Sequence, residues 1–153
     1  MASNDTHIDA SNPPAALIGW RLLALFYDLW PAAALWMAVA AAFLVAHHNQ
    51  PLAPFSALQW LLWALCWALT GAYATLSWRR GGQTLGMRPW RLRVVGIDGA
   101  APTWRALGLR YVFGSASLLL GGLGFWWAWL DRERLTWHDR VSGTRMRREP
   151  KQG

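Results

Sequence analysis

A few charged side chains interrupt otherwise apolar stretches of this chain. Asp28 lies in an apolar stretch from Leu17 to Ala46 whose only other charge is Arg21. An ionised side chain in hydrocarbon costs about 2.5 to 3.5 kcal/mol even on lenient insertion scales, so it persists only with a partner. A carboxylate in that setting can neutralise a cation of the protein, hold a small cation or carry a proton. The sequence therefore predicts a membrane protein organised around a few intramembrane charges.

Helix geometry predicts how these charges pair. Arg21 and Asp28 are seven residues apart, which is roughly 10 Å along a helix axis and too far for a direct bond. A third apolar element that begins near Thr103 would place Arg110 seven residues inside it, at the depth of Asp28. We therefore expect Asp28 to pair with Arg110, and Arg21 to meet Asp139 or a lipid phosphate at the membrane interface.

Pro31 leaves two interpretations of Asp28 open. Its ring nitrogen cannot donate the hydrogen bond that the carbonyl of Tyr27 would accept in a regular helix. A free carbonyl beside a carboxylate can hold a small cation or a proton relay, as in transporters with broken helices. The alternative is a kinked helix with a buried ion pair that only stabilises the fold.

Three apolar runs indicate the fold class. The first contains Asp28, and the second, Ser56 to Trp78, carries no charge and has about the 20 residues that a membrane span needs. The third, Tyr111 to Leu130, is interrupted by glycines and is predicted as a re-entrant or spanning helical element. Two short segments, Leu92 to Ile97 and Thr144 to Arg148, are expected to pair. The prediction is an all-α membrane protein with two transmembrane helices, a third interrupted helical element and a small cytoplasmic β-hairpin-like sheet.

The arginine distribution predicts the topology. Residues 79 to 110 carry seven arginines against one acid, whereas residues 47 to 55 carry neither Lys nor Arg. By the positive-inside rule, the arginine-rich segment and both chain ends are cytoplasmic, which favours a re-entrant third element over a crossing one. Residues 1–16 are expected to be a disordered cytoplasmic tail, residues 17–148 the membrane domain and residues 149–153 a short C-terminal tail.

Composition excludes several classes of function. The net charge is +7 and the hydrophobic content is 54%, but the basic residues lie between apolar runs, which indicates contact with a bilayer rather than with nucleic acid. The single cysteine, Cys66, offers neither a disulfide nor a metal set. His138 and Asp139 are adjacent without an evident nucleophile, so Asp139 is expected to cap a helix or pair with arginine. We expect no enzymatic activity, no cofactor and no bound metal.

The motifs together resemble one protein family. Arg21 and Asp28, the loop Gly82-Gln83-Thr84-x-Gly86, and His138-Asp139 with Gly143-Thr144 occur in this order in the sequence. This set resembles the RDD family of small bacterial membrane proteins, named for an arginine and two aspartates, and the resemblance covers nearly all of residues 17–146. The chain departs from the family pattern at Met87, where members usually carry lysine.

The resemblance implies a multi-pass protein of the bacterial cytoplasmic (inner) membrane, and the arginine distribution predicts that its N-terminus is cytoplasmic. A transport role, including cation or proton exchange, has been proposed for some family members. The first hypothesis is therefore a small cation or proton transporter organised around Asp28, which would be a homo-oligomer because two spans and a hairpin are too few to enclose a pathway. The alternative is a non-transporting membrane module that binds a protein partner or anionic lipid through its arginine-rich cytoplasmic face.

Overall fold

A computed structural model describes residues 17–150 of the chain. Its elements, in chain order, are helix α1 (Ile18–Ala46), helix α2 (Ala57–Gly81), strand β1 (Leu92–Gly96), helix α3 (Trp104–Leu119), helix α4 (Leu123–Leu130), helix α5 (Trp137–Ser142) and strand β2 (Thr144–Arg148). The predicted N-terminal tail, residues 1–16, lies outside the described residues. The predicted fold class is confirmed, with two long apolar helices, an interrupted third element and a two-stranded sheet.

Helices α1 and α2 are each long and apolar enough to cross a membrane. Helix α1 has 29 residues, about 43 Å at 1.5 Å per residue, and so exceeds a hydrocarbon core of about 30 Å by about 13 Å. Helix α2 has 25 residues, begins at a Ser56 cap that accepts from the Gln59 amide, and ends at Gly82 in the left-handed conformation. Pro31 lies inside α1, and the helix continues through it.

The interrupted element is a bent pair of helices, α3 and α4, whose axes change direction by 99° at a short break. Gly121 and Gly122 form the break, both with positive φ, a conformation that glycine adopts without steric cost. Strands β1 and β2 flank the bent pair in sequence and hydrogen-bond to each other in antiparallel register, from Leu92 opposite Arg148 to Gly96 opposite Thr144. Because the chain leaves from one strand and returns to its neighbour, the pairing supports a re-entrant hairpin over a third crossing.

A compact layer of packed residues joins the helix ends to the sheet. Its buried core consists of one residue of α1, one of the α2–β1 loop, two of β1 and one of α3: Ala24, Met87, Leu92, Val94 and Leu107. We call this part of the molecule the sheet end, meaning the first three turns of α1, the last turns of α2 from Tyr73 onward, the α2–β1 loop, the two strands, the first turns of α3 and all of α5. The first turns of α1 thus pack on the sheet, which places Arg21 in this layer.

Candidate functional site

The sheet end contains a buried cluster of two arginines and one aspartate. Arg21 of α1 donates from Nη1 to Oδ2 of Asp139 at 2.7 Å, and Arg110 of α3 donates from Nη1 to Oδ1 at 2.5 Å. All three residues are buried. Asp139 on α5 therefore joins the first and third helices through one carboxylate.

The local sequence around α5 positions this carboxylate. Thr136 caps the helix by accepting from the Asp139 amide, and Asp139 accepts in turn from the Thr136 amide at 3.1 Å, which makes a reciprocal capping box. Arg21 also donates to the Thr136 hydroxyl at 3.2 Å, and Arg110 donates to the hydroxyl of Thr144 at 2.8 Å. The expectation that Asp139 caps a helix or pairs with arginine is confirmed, because it does both.

The electrostatics of the cluster keep Asp139 ionised. Burial raises the pKa of the Asp139 carboxyl, but the guanidinium groups of Arg110 and Arg21 outweigh that effect and hold the pKa far below its ordinary value. Two cations share one anion, so the cluster keeps a formal excess of one positive charge. Removing one partner of a buried pair typically costs about 3 to 5 kcal/mol, because the remaining charge is left uncompensated.

A second polar cluster surrounds Asp28. Oδ1 of Asp28 accepts from the Tyr73 hydroxyl and from the Gly86 amide, both at 2.9 Å, and Oδ2 accepts from the hydroxyl of Thr84. The Tyr73 hydroxyl also accepts from the Leu85 amide at 3.0 Å. One half-buried carboxylate of α1 therefore holds the loop that follows α2, through neutral donors only.

Gly86 allows this loop to lie directly against α1. A Cβ atom at Gly86 would collide with the backbone carbonyl of Ala24 and would lie 2.7 Å from the backbone nitrogen of Asp28. Backbone atoms cannot yield as the end of a flexible side chain can, so only glycine fits. The Gly-Gln-Thr-x-Gly spacing thus supplies a hydroxyl donor at Thr84 and a close backbone approach two residues later.

The predicted ion pair between Asp28 and Arg110 is wrong. Arg110 bonds to Asp139, and Asp28 bonds to Tyr73 and the loop. The prediction estimated the depth of each charge from the number of residues between it and the start of its helix, and it paired opposite charges of equal depth. It did not foresee that the short helix α5 would dock beside α3, or that a carboxylate would be satisfied by hydroxyl and amide donors. The alternative partner named for Arg21, Asp139, is confirmed.

The remaining motif residues are mostly structural in their contacts. Gly82 caps α2, and its carbonyl accepts from the Val94 amide at 2.8 Å, which ties the loop to β1. Gly143 caps α5 in the left-handed conformation and accepts from the Ile97 amide at 3.1 Å. Gln83 is half-buried in the same loop. Met87 occupies the buried core, with its sulfur 3.4 Å from the indole nitrogen of Trp78, so this chain places an apolar side chain where the family usually has lysine.

His138 is buried and neutral. Its ring packs on Phe125 of α4 with the ring centroids 4.8 Å apart. Burial, followed by the nearby charge of Arg110, lowers the pKa of His138 to about 3. An imidazole in this state is a packing group of the α4–α5 contact, and this position does not favour a role as a general base at neutral pH.

Sequence reasoning missed Tyr73, Thr136 and Ser142. Ser142 donates to the carbonyl of His138 at 2.5 Å and lies 2.6 Å from the Thr144 hydroxyl. Thr136 had a usable signal, because a threonine three residues before an acid is a capping-box pattern. Tyr73 lies in an apolar helix and had none. Within residues 17–150, no group of three or more His, Cys, Asp or Glu side chains is arranged to hold a metal ion.

Comparisons with known proteins agree with these motifs. The family model described as the RDD family matches residues 15–143, which include both polar clusters and the bent helix pair. No curated protein and no solved structure matches the chain. The two aspartates and the arginine of the family resemblance thus take part in two separate clusters at the sheet end. This chain belongs to the RDD family of membrane proteins.

Proposed function

We propose that this protein is a non-transporting membrane module that binds the anionic headgroups of phospholipids through the arginines of its sheet end. One observation carries the proposal: guanidinium groups stack on indoles at the helix ends. Arg79 lies over Trp104 at 6.0 Å from the ring centroid, and Arg148 lies over Trp20 at 4.2 Å. Tryptophan side chains favour the membrane–water interface, so arginines stacked on them are held at the level of lipid phosphates.

The charge distribution supports the same proposal. Arginines that are exposed in the described residues are Arg79, Arg80, Arg88, Arg93, Arg105, Arg132, Arg134, Arg140, Arg147 and Arg148. Two of these are paired with carboxylates, Arg93 with Glu149 and Arg140 with Asp131. Residues 47–56, between the far ends of α1 and α2, contain no Lys, Arg, Asp or Glu. By the positive-inside rule, we propose that the sheet end and the start of α1 are cytoplasmic, in a bacterial inner membrane.

The cation or proton transporter has less support. Each oxygen of Asp28 already accepts a hydrogen bond from the protein, and the same holds for Asp139. A transported cation would have to displace those donors, and a proton would have to break the hydrogen bonds that fix the loop. The homo-oligomer that a pathway would require is not needed by a lipid-binding module.

The test is a measurement of lipid selectivity. We would reconstitute the protein in vesicles of phosphatidylcholine with spin-labelled phosphatidylglycerol or spin-labelled phosphatidylcholine, and measure the fraction of each label that the protein immobilises. We expect a preference for the anionic label that falls as salt is raised. Because an arginine near an anionic surface contributes about 1 kcal/mol, Arg79→Gln combined with Arg80→Gln should reduce that preference severalfold.

Arg93→Gln is the matched control, because Arg93 is also exposed at the sheet end but is already paired with Glu149 at 3.0 Å. We expect it to change the preference much less. Equal immobilisation of both lipids would contradict the proposal. Dissipation of a pH gradient in liposomes by the wild type, abolished by Asp28→Asn in well-folded protein, would favour the transporter instead.

A further inference from the structure

We infer that α4 is an interfacial anchor: it lies in the headgroup boundary of the leaflet next to the sheet end and presents three tryptophans to lipid there. This concerns the depth of one helix in the bilayer, and it holds whether or not the arginines select anionic lipid. The occupant of the exposed face of α4 is thus the polar–apolar boundary of the bilayer, rather than its hydrocarbon centre or a second copy of the chain.

The first step is the level of the end of α4. Ala128 is fully buried and packs on Ile18, the first residue of α1. The polar segment that follows Ala46 marks the far boundary of the span. Because α1 is about 13 Å longer than the hydrocarbon core, its first turns project beyond that core at the sheet end. Ala128 therefore lies outside the hydrocarbon, level with Ile18.

The second step is how deep the bend can reach. Gly122, the N-cap of α4 at the bend, precedes Ala128 by six residues, which is about 9 Å along a helix. Measured from the level of Ala128 towards the bilayer centre, the bend can therefore lie no deeper than the distance from Gly122 to Ala128 plus the width of one packing contact. This depth is similar to the length of α1 that projects from the hydrocarbon, so the hairpin enters only the outer part of the leaflet.

The third step is the chemistry of the exposed face. Trp126, Trp127 and Trp129 are all exposed, and the rings of Trp126 and Trp129 make an edge-to-face pair with centroids 4.8 Å apart. An indole combines a large apolar surface with one N–H donor, which suits the headgroup boundary better than either water or hydrocarbon. Three such residues in a helix of 8 residues form a short aromatic face suited to that level.

The loop after α4 is built to leave the membrane. Asp131 ends the helix and accepts from the Leu135 amide at 3.0 Å and from Arg140 at 2.6 Å. These bonds fix a tight turn in which Arg132 and Arg134 are exposed. The guanidinium groups of these arginines lie on the aqueous side of the tryptophans, where they can contact lipid phosphates. The C-terminal end of α4 therefore points towards water.

The experiment measures depth by spin labelling in a bilayer. In a Cys66→Ala background, single nitroxide labels would be attached at Trp126→Cys, Trp129→Cys and Leu130→Cys. Met37→Cys, exposed on α1 nine residues before the far end of that helix, is the reference for hydrocarbon, and Ala101→Cys, exposed in the loop before α3, is the reference for water. The ratio of relaxation by oxygen to relaxation by a water-soluble nickel chelate reports depth.

We expect the three α4 labels to give ratios between the two references and close to one another, in neutral and in anionic bilayers alike. Ratios that match Met37 would place α4 in the hydrocarbon and overturn the inference, and ratios that match Ala101 would place it in water and do the same. Leu130 is 81% exposed, so its label disturbs no packing and keeps the test valid if a tryptophan replacement unfolds the protein. If the α4 labels lie at the expected depth but the protein shows no preference for anionic lipid, the proposed function is contradicted and this inference is not.

Discussion

The separation of the two carboxylate clusters gives the sharpest prediction, which concerns Asp28. Asp28→Ala removes the acceptor of three hydrogen bonds, from Tyr73, Thr84 and Gly86. A hydrogen bond to a charged group contributes about 1.5 to 3 kcal/mol. The sum over the three bonds overestimates the cost, because Asp28 is half-buried and water can hydrogen-bond to the donors that lose their acceptor. We expect the free energy of unfolding to fall by about 3 kcal/mol.

The informative measurement is a pair of double-mutant cycles on the free energy of unfolding. Unfolding is monitored by tryptophan fluorescence during denaturant titration in mixed micelles. Thr84→Val removes one donor to Asp28 with little change in shape, so combining it with Asp28→Ala should be milder than the sum, by about 1.5 kcal/mol. Arg110→Ala acts on the other cluster, so its combination with Asp28→Ala should be additive to within about 0.5 kcal/mol. The reverse pattern, with coupling to Arg110 and none to Thr84, would refute this assignment of partners.

Three further predictions concern the loop, the buried histidine and the topology. Gly86→Ala should destabilise the protein in the same titration because of the collision with the Ala24 carbonyl, whereas Gly108→Ala, which has open space around it in α3, should be neutral or stabilising by up to about 1 kcal/mol. Because the pKa of His138 falls from 6.5 to about 3 on folding, the unfolded chain binds a proton that the folded protein does not. The free energy of unfolding should therefore fall by up to about 1.4 kcal/mol per pH unit as pH decreases from about 6.5 towards 3, and His138→Gln should remove that part of the slope; an unchanged slope would show that other groups cause it. In intact cells an impermeant thiol reagent should label Gln50→Cys but not Ala101→Cys in the Cys66→Ala background, and labelling at position 101 would invert the proposed topology.

The elements of this fold could be predicted from sequence because each has a local cause. The two spans follow from the length of the apolar runs and the scarcity of charge in them, and β2, Thr144–Arg148, has the predicted bounds. Strand β1 ends one residue before the predicted Ile97, because the residue that would pair with Ile97 is Gly143, which caps α5 in the left-handed conformation and is not part of β2. The bend between α3 and α4 follows from glycines that interrupt an apolar run.

The partners of the charges could not be predicted in the same way. A guanidinium reaches several ångströms from its backbone, so residue counts along a helix do not fix where its charge lies. Asp28 is stabilised partly by the amide of Gly86. Almost every residue has an amide donor, so the sequence does not show which one binds the carboxylate. Asp139 could be recognised as a cap, but its position between two helices depends on the docking of α5.

The arginine–aspartate cluster also has a consequence for biosynthesis. Arg21 and Arg110 are synthesised before Asp139, and the residues that surround the carboxylate, Thr136 and Thr144, are among the last described residues to leave the ribosome. Until then, α1 and α3 carry two guanidinium groups without their common counter-ion. A nascent chain that stops short of α5 would therefore hold Arg21 on α1 and Arg110 on α3 without a counter-ion, a state that membrane quality-control proteases could distinguish from the finished protein.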